Sequence, residues 1–244
     1  IQDGAGNNAI LTLAAPGETN SLAASADIQI DAQAPTILSV SSTAENGYYN
    51  AGDLIPIIVS FSETINVVNP ITLSQIVNIT LETGENDIAI NYASGTGTSN
   101  LTFNYIVSAG HTSNDLDYIS TNALTLNNST ITDIAGNAAV VTLPAPGETN
   151  SLGANKAIVI DTESPTITSV TSSAIDGTYK VDDVIPILVT FSEAVFVTDV
   201  PQITLETGET DAIASYASGS ETATLTFNYT CLLYTSPSPR DNTG

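Results

Sequence analysis

Residues 53–63 read DLIPIIVSFSE, and this stretch decides the fold because its apolar side chains alternate with period two. Ile55, Ile57, Val59 and Phe61 would share one face of a strand. Turn residues such as Asn, Asp and Gly separate this stretch from similar runs on both sides. Many short strands with one apolar face each predict an all-β unit of two packed antiparallel sheets. The other predicted strands span residues 35–42, 79–83, 88–92, 101–107, 123–126, 138–143 and 156–160.

The composition favours β-branched strands and excludes several classes of function. The chain has 244 residues and a formal net charge of −23, from 26 Asp and Glu against 3 Lys and Arg. Nucleic acids and anionic lipid surfaces need clustered basic side chains, so neither is an expected partner. A single Cys and a single His exclude a disulfide framework and a Cys/His zinc site. No apolar run is long enough to predict insertion into a membrane.

The sequence repeats itself at a long and nearly constant offset. Residues 15–22 read APGETNSL, and residues 145–152 read the same at an offset of 130. Farther along, the offset falls to 124, because LTFNY occurs at residues 101–105 and again at 225–229. The first complete repeat therefore carries an insertion near residues 71–78. A fixed period of this kind is typical of a tandem array.

The repeat predicts how the chain is divided. Residues 1–31 would close one repeat, residues 32–161 would form a complete repeat, and residues 162–230 would open a third. The similarity between repeats ends after Thr230, so the chain is expected to be a window onto a longer array. Residues 231–241 read CLLYTSPSPRD and resemble a translated transposase-type sequencing adapter. The last predicted segment, 231–244, is therefore expected to be non-native and to lie outside the fold.

Short motifs recur in a fixed order along residues 1–230, among them PTIxSVxS, DxIPIxVxFSE, ITLETG, YASG, LTFNY, DLDY, DxAGN and IDxxxPT. Together they resemble the bacterial Ig-like repeats of very large surface proteins, including the swimming-motility and flagellar-associated type. The resemblance implies tandem Ig-like antiparallel β-sandwiches in an elongated array. It also implies a secreted or surface-anchored adhesin or motility protein, in which each repeat has the neighbouring repeats of the same chain as partners.

Calcium is the cofactor that the sequence favours. If strand 35–42 runs away from the preceding repeat and the next strand returns, Glu63 ends that strand at the pole facing the preceding repeat. The turn that holds Asp133 and the closing Asp31 would reach the same pole. Carboxylate oxygens from distant parts of the chain are the hard ligands that Ca²⁺ takes. The DIAGN and linker Asp patterns also resemble calcium-rigidified adhesin repeats.

A second calcium site and a simpler alternative follow from the same residues. Asp161 and Glu193 repeat Asp31 and Glu63 at the offset of 130, so they are predicted to hold an ion at the next junction. In the alternative, Asp133 caps an Asx-type turn and Glu63 only ends a strand in solvent.

Catalysis is not predicted, and the chain is not expected to be an enzyme. His111 lies in a GHTSN stretch without a second His or an activated Cys, so it is expected to be an exposed loop residue. Asp115 and Asp117 are the nearest pair of carboxylates for glycoside hydrolysis, but a solvated loop is the favoured interpretation.

The leading functional hypothesis is a structural spacer or stalk in an extracellular bacterial surface protein. The first alternative is a module that binds a glycan or a partner cell through its loops, including the inserted residues 71–78. The second alternative is an accessory domain of a secreted hydrolase, with its catalytic sequence elsewhere. Reach, stiffness and solubility would be the properties that matter for a spacer, and loop chemistry would matter for a binding module.

Overall fold

The structure is a computed structural model that describes residues 1–69, 76–208 and 210–233. Part of the predicted insertion near residues 71–78 and most of the predicted non-native segment 231–244 lie outside the described residues. The chain divides into two units, Ile1–Thr162 and Glu163–Gly244. Two four-residue helices occur in the first unit, α1 (Leu22–Ser25) and α2 (Leu152–Asn155). Among the described residues, no helix is long and apolar enough to cross a membrane.

The first unit consists of β1 (Ile37–Ser42), β2 (Gly47–Tyr49), β3 (Leu54–Val68), β4 (Asn78–Leu81), β5 (Ile88–Ser94), β6 (Thr98–Ile106), β7 (Leu124–Thr125), β8 (Thr130–Thr132) and β9 (Ile158–Ile160). The all-β prediction is confirmed. The main sheet has the order β1-β3-β6-β5-β4-β7, with β8 also paired to β3. All strand pairs of this sheet are antiparallel, and the sheet curls. The sequence predicts two separate packed sheets, whereas in the structure hydrogen bonds join these strands into one curled sheet. β2 and β9 form a parallel pair beside it.

The long strand β3 changes partners along its length. Its first half pairs with β1 and β6, and the register with β6 shifts between Ser60 and Ile65. Beyond this bulge, residues 66–68 pair with β8. The prediction that the strand ends at Glu63 is therefore wrong. A bulge bends a strand and strengthens its twist, and this allows β3 to continue and pair with a new neighbour.

The apolar faces of the strands meet in one core. Ile55, Ile57, Val59 and Phe61 are all buried, as their period-two spacing predicts. The Tyr92 and Phe103 rings pack edge to face, with 6.2 Å between the ring centroids. The other large side chains that are fully enclosed in this core are Ile65, Ile79, Leu81, Leu101, Tyr105, Leu116, Tyr118, Leu152 and Ile158.

Two short elements of the first unit depart from the sequence-based prediction. The predicted strand 138–143 is reduced to isolated bridges, in which Val140 faces Thr36 and Ala138 faces Thr132. The short strands β2 and β8 were not predicted at all. Three residues are too few to show a period, so such elements depend on partners that are distant in sequence.

The second unit contains β10 (Ile167–Ser172), β11 (Val184–Val195), β12 (Gln202–Leu205), β13 (Ala212–Ser218) and β14 (Thr222–Thr230) in the order β10-β11-β14-β13-β12. Its first ladder, from Ile167↔Phe191 to Ser172↔Ile187, repeats the β1–β3 ladder at the offset of 130, including the position of the register shift. The edge-to-face aromatic pair also recurs, between Tyr216 and Phe227 at 6.0 Å. The same sequence pattern thus builds the same strand pairing twice.

Candidate metal centre

Three carboxylates that are far apart in sequence meet in the first unit. One oxygen each from Asp31, Glu63 and Asp133 can be chosen so that all three oxygens lie within 4.8 Å of one another. Asp31 is exposed in the segment before β1, Glu63 is half-buried in the bulged part of β3, and Asp133 is buried just after β8. The predicted convergence of these residues is therefore present, although Glu63 lies within a strand and not at its end.

Asp133 is held by the loop that follows it. The backbone N–H of Asn137 donates to Asp133 Oδ1 at 2.8 Å, and Asn137 Nδ2 donates to Asp133 Oδ2 at 2.7 Å. Gly136 has a φ of +94°, a left-handed conformation that a residue with a side chain adopts at a cost. The Asx-type turn considered from the sequence is thus present. It does not exclude a metal ligand, because each carboxylate oxygen has two lone pairs.

The same loop forms at the start of the chain, where its surroundings differ. Asn7 donates to Asp3 through its backbone N–H at 2.9 Å and through Nδ2 at 2.8 Å. Gly6 has a φ of +91°. Asp3 is exposed and Asp133 is buried, so the loop geometry follows from the local sequence and does not depend on burial.

One side chain connects the linker to this loop. Asn137 Nδ2 donates to the backbone carbonyl of Asp31 at 3.2 Å, in addition to its bond with Asp133. The backbone N–H of Gln33 donates to Asp31 Oδ1 at 3.0 Å and shapes the linker locally. Asn137 therefore places the Asp31 carboxylate beside the other two acids.

The electrostatics of the three acids are unequal. Burial raises the pKa of Glu63, and the nearby carboxylates of Asp31 and Asp133 raise it further. Burial also opposes the ionisation of Asp133, but hydrogen bonds from Asn137, Gly136 and Ala135 outweigh it and lower the pKa of Asp133. Glu63 is thus the member of the group whose negative charge is least favourable.

The residues present fit a hard divalent cation. Ca²⁺ takes six to eight oxygen ligands, and carboxylates, backbone carbonyls and water together supply them in many sites. Asp31, Glu63 and Asp133 offer three carboxylates, with further ligand positions open to solvent on the exposed Asp31 side. A bound cation would also relieve the like-charge repulsion that raises the pKa of Glu63.

The two residues of the second predicted site belong to different units. Asp161 lies near the end of the first unit, where its backbone N–H donates to the Tyr49 carbonyl at 3.0 Å. Glu193 lies in β11 of the second unit. A calcium site formed by Asp161 and Glu193 stays a prediction.

His111 is not the exposed loop residue that the sequence predicts. It is half-buried, its Nδ1 lies 2.8 Å from the Tyr105 hydroxyl, and the two rings stack with 5.9 Å between centroids. The Thr162 hydroxyl donates to the His111 carbonyl at 3.0 Å. Burial raises the pKa of Tyr105 to about 12. A buried tyrosine hydroxyl needs a polar partner, and His111 supplies it.

Asp117 also differs from the prediction of a solvated loop, which holds only for the exposed Asp115. Asp117 is buried and accepts hydrogen bonds from the backbone N–H groups of Gly147 and Tyr118, each at 2.9 Å. Burial and the neighbouring Asp117 raise the pKa of Asp115. Asp117 ties the loop before α2 to the core. Sequence reasoning missed this role because its partner is a backbone group about 30 residues away.

No protein-family model, no curated protein and no solved structure matches this chain. Any function must therefore be inferred from the residues and their geometry.

Proposed function

We propose that the chain is a structural spacer made of tandem Ig-like β-sandwich repeats, from an extracellular bacterial surface protein associated with adhesion or motility. The observation that carries this proposal is the recurrence of the same strand registers in both units, at offsets of 130 and 124. A chain that repeats one fold gains length by adding copies, and length and stiffness are what a stalk provides.

The acidic surface agrees with such a role. A net charge of −23 keeps repeats of this kind soluble and apart from one another. Both loops of the type found at Asp133 are closed by hydrogen bonds from their own asparagine, so their shape does not require a ligand. These properties suit a passive, extended element in an extracellular medium.

We further propose that Ca²⁺ binds Asp31, Glu63 and Asp133 and stiffens the start of the complete repeat. Asp31 belongs to the segment before β1, whereas Glu63 and Asp133 belong to the body of the repeat. An ion held by all three would tie that segment to the body more firmly than the single Asn137 bond to the Asp31 carbonyl. Mutual repulsion of the carboxylates would then be replaced by attraction to a shared cation.

A melting experiment tests the metal site. Extracellular calcium modules have a Kd of roughly 0.1–1 mM, so Ca²⁺ at about ten times that level is expected to raise the melting temperature of the first unit by roughly 5 °C over chelator. Asp31→Asn and Glu63→Gln should abolish this response. Glu85→Gln, in an exposed hairpin turn, should retain it. An equal melting temperature with calcium and with chelator would contradict the proposal.

A binding assay separates the spacer from the glycan- or partner-binding module. The full chain is applied to glycan arrays and to cell-adhesion assays, with and without Ca²⁺. If the chain is a spacer, no binding above background is expected in any of these assays. Reproducible, saturable binding would favour the binding module in its place. Replacement of residues 71–75 by a Gly/Ser stretch of equal length, which keeps the buried Val77 and β4, would then show whether the insertion carries that binding.

A further inference from the structure

Asn46 and Gly47 form the only Asn-Gly pair in the sequence. This pair is chemically labile, because glycine has no side chain to hinder the attack of its backbone nitrogen on the amide of the preceding asparagine. The pair lies where β2 begins, and Asn46 is exposed to solvent. Water therefore reaches the pair, and the neighbouring hydrogen bonds decide whether its two reacting groups can meet.

Both reacting groups are held by one residue of the segment before β9. The backbone N–H of Gly47 donates to the Ala157 carbonyl at 3.0 Å. The backbone N–H of Ala157 donates in turn to Asn46 Oδ1 at 3.1 Å. The nucleophilic nitrogen and the carbonyl group that it would attack are thus both bonded to Ala157. The Gly47 nitrogen cannot turn towards the Asn46 side chain while these two bonds are present.

Further hydrogen bonds fix the turn around the pair. Lys156 Nζ donates to the Ala44 carbonyl at 2.7 Å, and the Tyr49 hydroxyl donates to the Glu45 carbonyl at 2.7 Å. After the turn, β2 continues into its parallel ladder with β9. Hydrogen bonds on both sides of residues 46–47 therefore have to break before the pair can change its conformation.

We propose that Asn46–Gly47 is a deamidation site and that the ladder between β2 and β9 controls its reaction. While the ladder is closed, Ala157 holds both reacting groups and the pair is protected. When the ladder opens, the Gly47 nitrogen reaches the side-chain carbonyl carbon of Asn46. Water is the only co-reactant, so the reaction proceeds wherever the ladder opens in an aqueous medium.

The reaction exchanges ammonia for water. The Gly47 nitrogen forms a bond to Asn46 Cγ and gives up its proton, and the Cγ–Nδ2 bond breaks. Ammonia leaves with that proton, and a cyclic imide remains. Water then adds to one of the two imide carbonyl carbons. Cleavage of the new bond at Cγ gives aspartate, whereas cleavage at the original backbone carbonyl carbon gives isoaspartate.

The two products affect the ladder differently. Aspartate leaves the main chain unchanged, and Asp176 already occupies the corresponding position of the second unit. Isoaspartate adds a methylene group to the main chain, between the bond of Ala44 to Lys156 and the bond of Gly47 to Ala157. These two bonds cannot then form together with their present geometry. Because ammonia is lost to solvent, the reaction converts a transient opening of the ladder into a permanent one.

Incubation of the full chain in water enriched in heavy oxygen tests the proposal. Mass spectrometry of the peptide that contains residues 46–47 measures the conversion of the amide to a carboxylate, and the heavy oxygen marks the reactions that occurred during the incubation. The rate in the folded chain should be about 100-fold lower than in the chain unfolded in guanidinium chloride, because the reaction waits for local opening. In both states the rate should rise with pH, since the deprotonated Gly47 nitrogen is the nucleophile.

Two lysine variants show whether the hydrogen bonds around the turn set the rate. Lys156→Met keeps the apolar stem and removes the Nζ bond to the Ala44 carbonyl, so deamidation of the folded chain should become about tenfold faster. Lys180→Met removes an exposed lysine of the second unit and should leave the rate unchanged. Neither variant should change the rate in denaturant, and circular dichroism verifies that both are folded without it.

Hydrogen exchange of the products tests the effect on the ladder. The isoaspartate form, separated by chromatography, should lose the protection of the Gly47 amide, whereas Asn46→Asp should keep it. Three outcomes overturn the proposal: equal deamidation rates in the folded and the unfolded chain, a rate in folded Lys156→Met equal to that of the unaltered chain, or a protected Gly47 amide in the isoaspartate form.

Discussion

The first unit and the second unit share a strand register but not a core. Ile37 faces Phe61 and Ile167 faces Phe191, with the same shift one residue later. Yet β1 buries Val40 and Ser42, whereas β10 buries nothing. The β1–β3 register therefore needs only the strands themselves, whereas the burial of β1 in the first unit also needs the segment 131–161, from which Asn150 and Asn155 bond to Val40.

The size of the two cores follows from this difference. The cluster of the second unit consists of Val189, Ala212, Ala214, Leu225, Phe227 and Tyr229, all of which come from β11, β13 and β14. In the first unit the core contains residues of the corresponding strands and, in addition, four residues of the segment 131–161: Leu143, Leu152, Ile158 and Ile160. Buried apolar area is the main source of folding free energy, so the first unit should be much the more stable of the two.

The largest expected change in unfolding free energy comes from a Leu→Ala substitution, which is compared at two positions that correspond in the repeat, Leu152 and Leu22. Leu152→Ala should destabilise the first unit by about 3 kcal/mol, because it leaves a cavity in a closed core. Leu22→Ala removes the same side chain from an exposed site and should cost less than about 0.5 kcal/mol. Urea unfolding of the monomeric chain, followed by hydrogen exchange in β3, measures both. Equal costs would mean that residues 1–31 bury Leu22 in solution.

A smaller effect should separate Tyr105 from its counterpart Tyr229. Tyr105→Phe removes the hydroxyl that lies 2.8 Å from His111 Nδ1 and should cost about 1 kcal/mol. Tyr229→Phe should cost less, because the repeat similarity ends at Thr230 and supplies no histidine. Both variants are compared by the same unfolding experiment. If Tyr229→Phe proves as costly as Tyr105→Phe, the His111 contact is not the source of the loss.

The smallest effect is a pH dependence confined to the first unit. The raised pKa of Glu63 means that the folded chain binds this proton more readily than the unfolded chain does. Without divalent ions, stability should therefore increase as pH falls through that raised pKa towards the ordinary 4.5. The lowered pKa of Asp133 acts in the opposite sense, so its contribution is lost at still lower pH, below the ordinary 3.8.

Glu63→Gln isolates this effect. The variant should lose the part of the increase in melting temperature on mild acidification that Glu63 supplies, while the part from Asp115, whose pKa is also raised, and the loss of stability at lower pH remain. Glu85→Gln serves as the matched control and should behave like the unaltered chain. An acid-induced increase that is as large in Glu63→Gln as in the unaltered chain would show that Glu63 is not its source.

Much of the fold was accessible from the sequence, because period-two patterns are a local property. Residues 54–61 and 101–105 were assigned correctly, and so was the grouping of Asp31, Glu63 and Asp133. The continuation of β3 beyond Glu63 was missed, since a bulge depends on the partner that the strand meets next. The contacts of His111 and Asp117 were missed for a similar reason, because side-chain burial depends on the packing of distant segments.

The sequence by itself determined the pairing register of β1 with β3 and of β10 with β11, and the loops at Asp3 and Asp133, since each of these forms in the same way in two different surroundings. Only the tertiary structure decided which apolar residues are buried. Leu22 and Leu152 lie in the same APGETNSL motif, and one is exposed while the other is enclosed. A hydrogen-bonded turn or ladder is completed by residues within it, but a hydrophobic core exists only where a second surface excludes water.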